Sequence, residues 1–381
     1  MCSGRFGGFP VCAEGSAPVA TIFFTGFPGF LGSALVPRVL ERRANDVAVC
    51  LVQARFADVA RTRVETLEAR FPSVRGRIRL VEGDVTQPGL GLADEPAIRA
   101  DVREIYHLAA IYDLAVTREA GLRINVDGTR HVVDFAQAAP RLERLHHAST
   151  CYVSGRHVGI YSEADLDLGQ RFNNFYEETK FLAECYVQDR MRAGLPATIY
   201  RPAIVVGDSR TGATQKFDGP YFLLQFLLRQ PHLAVMPVIG NPTLTRFNVV
   251  PSNFVTDAIA CLSGLPRSLG KVYQLADSAP LTVDEMLQAM GHATRRTIIR
   301  LPLWRRPVKA VIECVPGVYQ WLRVPSSALD YLDLPTHYTS TNAQADLAGT
   351  GIAPPPFRSY LPCLVEFMRS HPNAGTSAAM A

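Results

Sequence analysis

Thr21-Ile22-Phe23-Phe24-Thr25-Gly26-Phe27-Pro28-Gly29-Phe30-Leu31-Gly32 is the stretch whose reading decides the fold. Its first five residues are β-branched or aromatic and carry no charge, as in a strand covered on both faces. Glycines at 26, 29 and 32 end that strand, and a helical pattern starts at once. Leu31, Leu35, Val39 and Leu40 fall on one face, with Arg38, Glu41 and Arg42 on the other. A strand, a glycine turn and a helix in this order form a dinucleotide site. Gly26 permits the tight turn, Gly29 lets backbone approach the pyrophosphate, and Gly32 allows close helix–strand packing. The first helical turn offers unpaired N–H groups to the phosphates. The spacing here is G-x-x-G-x-x-G rather than the commoner G-x-G-x-x-G.

Outward from this stretch, apolar strands are expected at residues 47–52, 78–82, 104–108, 142–148 and 197–200. Helices are expected at 57–70, around Asn125, and at 174–193. Strands alternating with helices predict an α/β fold, a Rossmann-type doubly wound parallel sheet with helices on both faces and ligands at the carboxyl ends of the strands. Residues 88–101 read as turns. Residues 1–19 read as a flexible tail with no signal-peptide core, and 20–206 as the NAD(P)-binding Rossmann domain. From 207 to 381 prolines multiply and the elements shorten, with helices expected at 221–228 and 282–293. That part reads as a smaller, interleaved C-terminal substrate-binding region, with about 247–277 returning to the first domain.

Composition excludes several classes. The chain has 381 residues, 48% hydrophobic and 19% charged, as a globular protein does. A net charge of +4, with basic residues scattered, gives no reason to expect nucleic acid as a partner. No window holds the roughly 18 apolar residues of a spanning helix, so a cytoplasmic protein without a transmembrane segment is expected. The eight cysteines form no C-x-x-C pair, and His146 and His147 lack acidic or cysteine neighbours at ligand spacing. Both sets read as structural, and no metal is expected.

Tyr176-Glu177-Glu178-Thr179-Lys180 carries the chemistry. Tyr and Lys four apart on a helix share a face, and a nearby ammonium would favour the phenolate of Tyr176. Thr150 stands just past the fifth strand, where its hydroxyl can donate to a carbonyl oxygen. Ser149 competes with it but reads better as a turn residue bonded to backbone.

Thr25 to Gly32, His107-Leu108-Ala109-Ala110, Asn125-Val126-Asp127-Gly128-Thr129, Ser149-Thr150, Tyr176…Lys180 and Arg201-Pro202 together resemble the extended short-chain dehydrogenase/reductases. The Gly-Phe-Pro-Gly-Phe-Leu-Gly wording, Lys180-Phe181-Leu182-Ala183-Glu184 and residues 201–212 resemble the branch of fatty acyl-CoA reductases and thioester reductase domains. The resemblance covers about residues 20–280. It implies Tyr176 as proton donor, Lys180 on the nicotinamide ribose and Thr150 on the carbonyl. Asn125 matches an asparagine that supports a relay water; a satisfied helix-interior amide is the other reading. Gly26, Pro28, Gly29, Phe30, Leu31, Gly32, Asp84, Val85, Ala109, Ala110 and Pro202 match cofactor-lining positions. Asp84 also reads as the cap of the next turn.

The second strand bears on which nicotinamide is bound. An NAD site usually offers a carboxylate at the end of that strand. Here Gln53, Ala54 and Arg55 follow Val52, and Asp46 lies at the opposite end of the strand. Arg55 can meet a 2′-phosphate, so NADPH is expected over NADH, although acyl reductases of this kind commonly carry arginine where Gln53 stands.

Val308, Val311, Ile312, Val315, Tyr319 and Leu322 recur at helical spacing, opposite Lys309, Glu313, Gln320 and Arg323, with Pro316 interrupting them. Such a stripe reads as core packing. The sharper alternative is an acyl-chain groove or a peripheral membrane contact helped by Arg305 and Arg306. The activity expected is NADPH-dependent reduction of an acyl thioester, on CoA or on a carrier protein, to aldehyde or alcohol. A ketone or aldehyde reductase and a nucleotide-sugar epimerase are alternatives with the same residues. A non-enzymatic NADPH sensor would have no need of all three catalytic groups. A homodimer is left open.

Overall fold

The computed structural model describes residues 20–303, 331, 333–372 and 374. The expected alternation is there from the start. β1 (Thr21–Thr25), α1 (Phe30–Arg42), β2 (Val47–Val52), α2 (Ala57–Arg70) and β3 (Ile78–Glu82) follow one another, then α3 (Glu95–Ala100) and β4 (Val102–His107). α4 (Arg118–Gly121) runs through a π-helical turn, Leu122–Asp127, into α5 (Gly128–Ala138). β5 (Arg144–Ala148), β6 (Gly159–Tyr161), α6 (Phe175–Arg192), β7 (Ala197–Pro202) and β8 (Ile204–Val206) come next. The remainder contains α7 (Pro220–Leu228), β9 (Leu233–Ile239), β10 (Val249–Pro251), α8 (Ser252–Ser263), β11 (Val272–Leu275), α9 (Val283–Thr294) and β12 (Thr297–Leu303). β13 (Thr336–Tyr338), α10 (Thr341–Leu347) and α11 (Phe357–Ser370) close it.

Seven strands form one parallel sheet in the order β11-β7-β5-β4-β1-β2-β3. The chain works outward from β1 to β3, then crosses to β4 on the other side of β1. The carboxyl ends of β1 and β4 therefore diverge at a topological switch point, the place where ligands bind in open α/β sheets. Gly26 begins the turn that leaves β1 there.

Alternation along the strands divides the core. Phe23, Val49, Ile105, Leu145 and Ile199 face Val132, Val133 and Phe135 of α5 and Val187 of α6. Ile22, Phe24, Cys50, Tyr106 and Tyr200 face Leu35 and Val39 of α1 and Phe254 and Ile259 of α8. α8 lies beside α1, with Arg38 ion-paired to Asp257, and β11 pairs with β7. Residues 249–275 thus join the sheet layers. A separate core gathers Val206, Leu224, Met236, Val249, Met286, Met290, Tyr360 and Leu364.

Two features depart from the sequence reading. The stretch read as turns holds α3, whose N-cap Asp94 accepts from Ala97 N at 3.3 Å, with Pro96 in the first turn. Three two-stranded parallel pairs, β8–β10, β9–β12 and β6–β13, were not expected. Pro237 and Pro302 disguise β9 and β12, and a two-stranded pair tolerates them because both strands are edges. The helix expected at 306–321 and the tail 1–19 lie outside the described residues. Among the described residues, no helix is long and apolar enough to cross a membrane.

Candidate active site

The glycine turn is built by close backbone approach. Gly26 has φ +86°, and a Cβ there would meet the Leu108 carbonyl carbon at 2.7 Å and Ala109 N at 2.8 Å. A Cβ on Gly29 or Gly32 would lie 2.7 or 2.5 Å from the Gly26 carbonyl oxygen. That carbonyl accepts from Gly29 N at 3.0 Å, and Ser33 Oγ donates to the Pro28 carbonyl at 2.8 Å. α1 then starts without a side-chain cap and without an acid in its first turn, so its leading amides face outward beside half-buried Phe30 and Leu31. An anion is the ligand such a terminus accepts.

At the end of β2, Gln53 Nε2 donates to Asp84 Oδ2 at 2.9 Å and Arg55 Nε donates to Gln53 Oε1 at 2.8 Å. Arg55 also covers the Phe56 ring at 4.6 Å. The strand end therefore presents a guanidinium, while Asp84 is engaged by Gln53 and by Thr86 N at 2.8 Å. Asp46 sits at the start of β2, accepting from Ala20 N. Val85 turns its side chain into the core, and its carbonyl accepts from His131 Nδ1 at 2.8 Å.

Thr150, Tyr176 and Lys180 lie together at the carboxyl edge of β5. Asn174 caps α6 by accepting from Glu177 N at 3.0 Å, which puts Tyr176 in the first turn and Lys180 one turn later. Thr150 caps the short turn after β5, accepting from Tyr152 N at 3.2 Å, and its hydroxyl reaches the Pro202 carbonyl at 3.4 Å. All three side chains are buried. Burial pushes the Tyr176 phenol up, and the hydrogen bond from Thr150 draws it back. The phenol is thus raised overall and not lowered as expected, and Lys180 Nζ donates to the Ala148 carbonyl at 2.8 Å. Burial lowers the Lys180 ammonium to about 8, with Glu184 opposing.

Ser149 does not make the local backbone bond read for it; its hydroxyl donates instead to Glu184 Oε2 on α6 at 2.5 Å. Glu184 also binds Arg201 at 2.7 Å, and neither side chain of that pair is exposed. Arg201 reaches on to the carbonyls of Ser162 and Asp165. This ion pair locks α6, the end of β5 and the end of β7 together. Removing one partner would strand a buried charge.

Asn125 lies in the π-helical turn. Its Oδ1 accepts from Ile111 N at 2.9 Å and its Nδ2 donates to Thr179 Oγ1 at 3.0 Å. It thereby ties the half-buried Ala109–Ala110 segment after β4 to the residue preceding Lys180. The satisfied-amide reading of Asn125 describes these contacts. His146 and His147 are buried, and both are held well below the ordinary histidine value, chiefly by burial.

Sequence reasoning missed the far wall. Tyr112 stands edge-on to Tyr176 with ring centroids 5.1 Å apart and is 42% exposed. Lys216 lies 5.6 Å from its ring and pairs with Asp218 at 3.1 Å. Tyr152 meets Tyr331 at 4.9 Å, and Asn174 Nδ2 donates to the Tyr331 hydroxyl at 2.9 Å. None of these residues falls in a local pattern; distant segments bring them together.

A doubly wound sheet, a glycine turn on an uncapped helix, and Thr, Tyr and Lys at one sheet edge define an NAD(P)-dependent oxidoreductase of the extended short-chain dehydrogenase/reductase class. Comparison with known proteins narrows this. The chain belongs to the NAD-binding family described as male sterility protein, whose model matches residues 24–259. It is 29% identical over 289 residues to the non-canonical nonribosomal peptide synthetase cpsA of Aspergillus campestris, covering 71% of this chain and 27% of that protein. It is 28% identical over 237 residues to the fatty acyl-CoA reductase wat of Drosophila melanogaster, covering 52% of this chain and 46% of that protein. The chain thus spans less than half the length of either relative. Among solved structures, the terminal R domain from the myxalamid PKS-NRPS biosynthetic pathway superposes with a TM-score of 0.78 at 27% identity, covering 94% of this chain and 93% of that one. UDP-glucuronic acid 4-epimerase from Bacillus cereus matches with a TM-score of 0.66 at 17% identity, a likeness of fold.

Proposed function

We propose that this chain reduces an acyl thioester carried on a protein-bound thiol, using NADPH, to an aldehyde that a second round can take to an alcohol. The observation that carries this reading is the match to a terminal reductase domain of a PKS-NRPS pathway over nearly the whole of both chains, substrate side included. The catalytic trio alone would serve any carbonyl.

The glycine cradle fits a dinucleotide, since a Cβ at any of its three glycines would close it. Gly26, Pro28, Gly29, Phe30, Leu31 and Gly32 would hold the pyrophosphate, and Arg55 the 2′-phosphate. Asp84 and Val85 would lie by the adenine, with Ala109, Ala110 and Pro202 by the nicotinamide and Lys180 at its ribose. When bound, the reduced nicotinamide supplies the hydride for the thioester carbonyl carbon. Thr150 and Tyr176 hold the carbonyl oxygen, and their hydroxyls stabilise the charge that grows on it. Tyr176 passes its proton to that oxygen. Loss of the thiol from the resulting hemithioacetal leaves the aldehyde. Asn125 fixes the segment after β4 against α6.

The test follows NADPH oxidation by the purified protein with carrier-bound thioesters, acyl-CoAs, aldehydes and ketones, identifying the products. Aldehyde release from a carrier-bound thioester is expected. Turnover with ketones alone would overturn the reading.

A further inference from the structure

A buried chain of hydrogen bonds, which the chemistry above leaves unused, links the glycine turn to the helix bearing Asn125. Ala109 N meets Thr25 Oγ1 at 3.2 Å, and Thr25 Oγ1 meets His107 Nδ1 at 2.8 Å. His107 Nε2 meets Thr129 Oγ1 at 3.0 Å, and Thr129 Oγ1 meets the Asn125 carbonyl at 2.6 Å. Thr25, His107 and Thr129 are all buried, so no water competes for these groups.

The two ends set the sense of the whole chain. An amide N–H can only donate and a carbonyl can only accept. Thr129 directs its single hydroxyl proton to the Asn125 carbonyl, so it must accept from His107, and Nε2 carries the imidazole hydrogen. Nδ1 is then bare and accepts from the Thr25 hydroxyl, whose oxygen accepts from Ala109 N–H. Each internal group donates once and accepts once, in one direction. Burial, with the charge of Lys180, pulls His107 down to about 3, so the ring stays neutral at physiological pH.

Both ends of the chain touch the cofactor site. Gly26 follows Thr25 directly, and it passes so close to the end of β4 that a Cβ would sit 2.8 Å from Ala109 N. Asn125 grips Ile111 N and Thr179, the neighbour of Lys180. We propose that His107, as a neutral Nε2–H imidazole, is a positioning residue for the nicotinamide cofactor. It sets the spacing between the ends of β1 and β4, and so the alignment of the Gly26 turn with the Ala109–Ala110 segment. The inference rests on cofactor binding and is independent of the thioester as substrate.

The test measures NADPH affinity by fluorescence titration and reads the ring tautomer by ¹⁵N NMR. Thr25→Val and Thr129→Val each remove one link, and each is expected to weaken NADPH about tenfold. The double variant should be little worse than either single one, because the chain is already broken. The KM for NADPH should rise more than kcat falls. The His107 nitrogens should report Nε2–H between pH 5 and 8. Additive threonine effects, an Nδ1–H tautomer, or a folded His107→Phe variant with wild-type NADPH affinity would each overturn the proposal. If His107→Phe does not fold, the threonine cycle and the tautomer still decide.

Discussion

The two walls of the cleft are made by opposite means. On the cofactor side, backbone does the shaping: the Gly26 carbonyl against Gly29 and Gly32, the uncapped start of α1, and strand ends joined by short turns. On the side proposed for the substrate, side chains do it. Tyr112, Tyr152, Lys216 and Tyr331 come from four separate segments, and that region's core holds two-stranded pairs between distant stretches. A backbone-built wall tolerates little change and suits a ligand that never varies. A wall of side chains can be re-cut by substitution while the sheet stays intact.

Substitutions should therefore separate the walls. The largest effect is expected at their junction: Tyr176→Phe should lower kcat by about 10²–10⁴-fold while NADPH affinity holds, and steady-state kinetics with a binding titration check both. Unchanged kcat would remove Tyr176 from the chemistry. On the cofactor wall, Arg55→Ala should weaken NADPH by about tenfold or more through loss of a charge-assisted contact, leaving NADH unaffected. Equal losses for both nucleotides would mean that Arg55 serves the strand end and not the 2′-phosphate. On the substrate wall, Tyr112→Ala should raise the KM for the acyl substrate severalfold with the NADPH KM unchanged, given the area an aromatic side chain contributes to a contact. A shift in the NADPH term would erase the distinction between the walls.

The smallest effect concerns pH. Lys180 is lowered to about 8 by burial. Its ammonium is thus lost as pH rises through about 8, and kcat/KM should fall there. For stability the sign is opposite. Between about 8 and the ordinary lysine value near 10.4, the unfolded chain holds more protons than the folded one, so this group's contribution to stability rises with pH. Thermal melts across that window, compared with Lys180→Met, would show it.

Much of the cofactor wall was legible because its rules are local. β1 and the glycine turn follow from residues 21–32, and α2 was expected at the bounds it has. Ser149 reads from its turn as bonded to local backbone, yet its hydroxyl engages Glu184, a partner that no local pattern shows. The effect of Lys180 on Tyr176 was misjudged. Spacing on a helix says that two side chains share a face, but not that an ammonium will prefer a carbonyl such as that of Ala148. The π-helical turn at Asn125 has no composition signal, and Pro237 and Pro302 hid two strands whose edges face no ladder.

The sequence by itself determined the parallel sheet and the helix turn that puts Tyr176 one turn before Lys180. Periodicity, glycine and short-range spacing act within a few residues. Only the tertiary structure decided that Tyr112 stands against Tyr176, that Glu184 holds both Ser149 and Arg201, and that His107 bonds Thr25 on one side and Thr129 on the other. Those contacts join residues far apart in the chain, and the fold of the sheet brings those residues together at its strand ends.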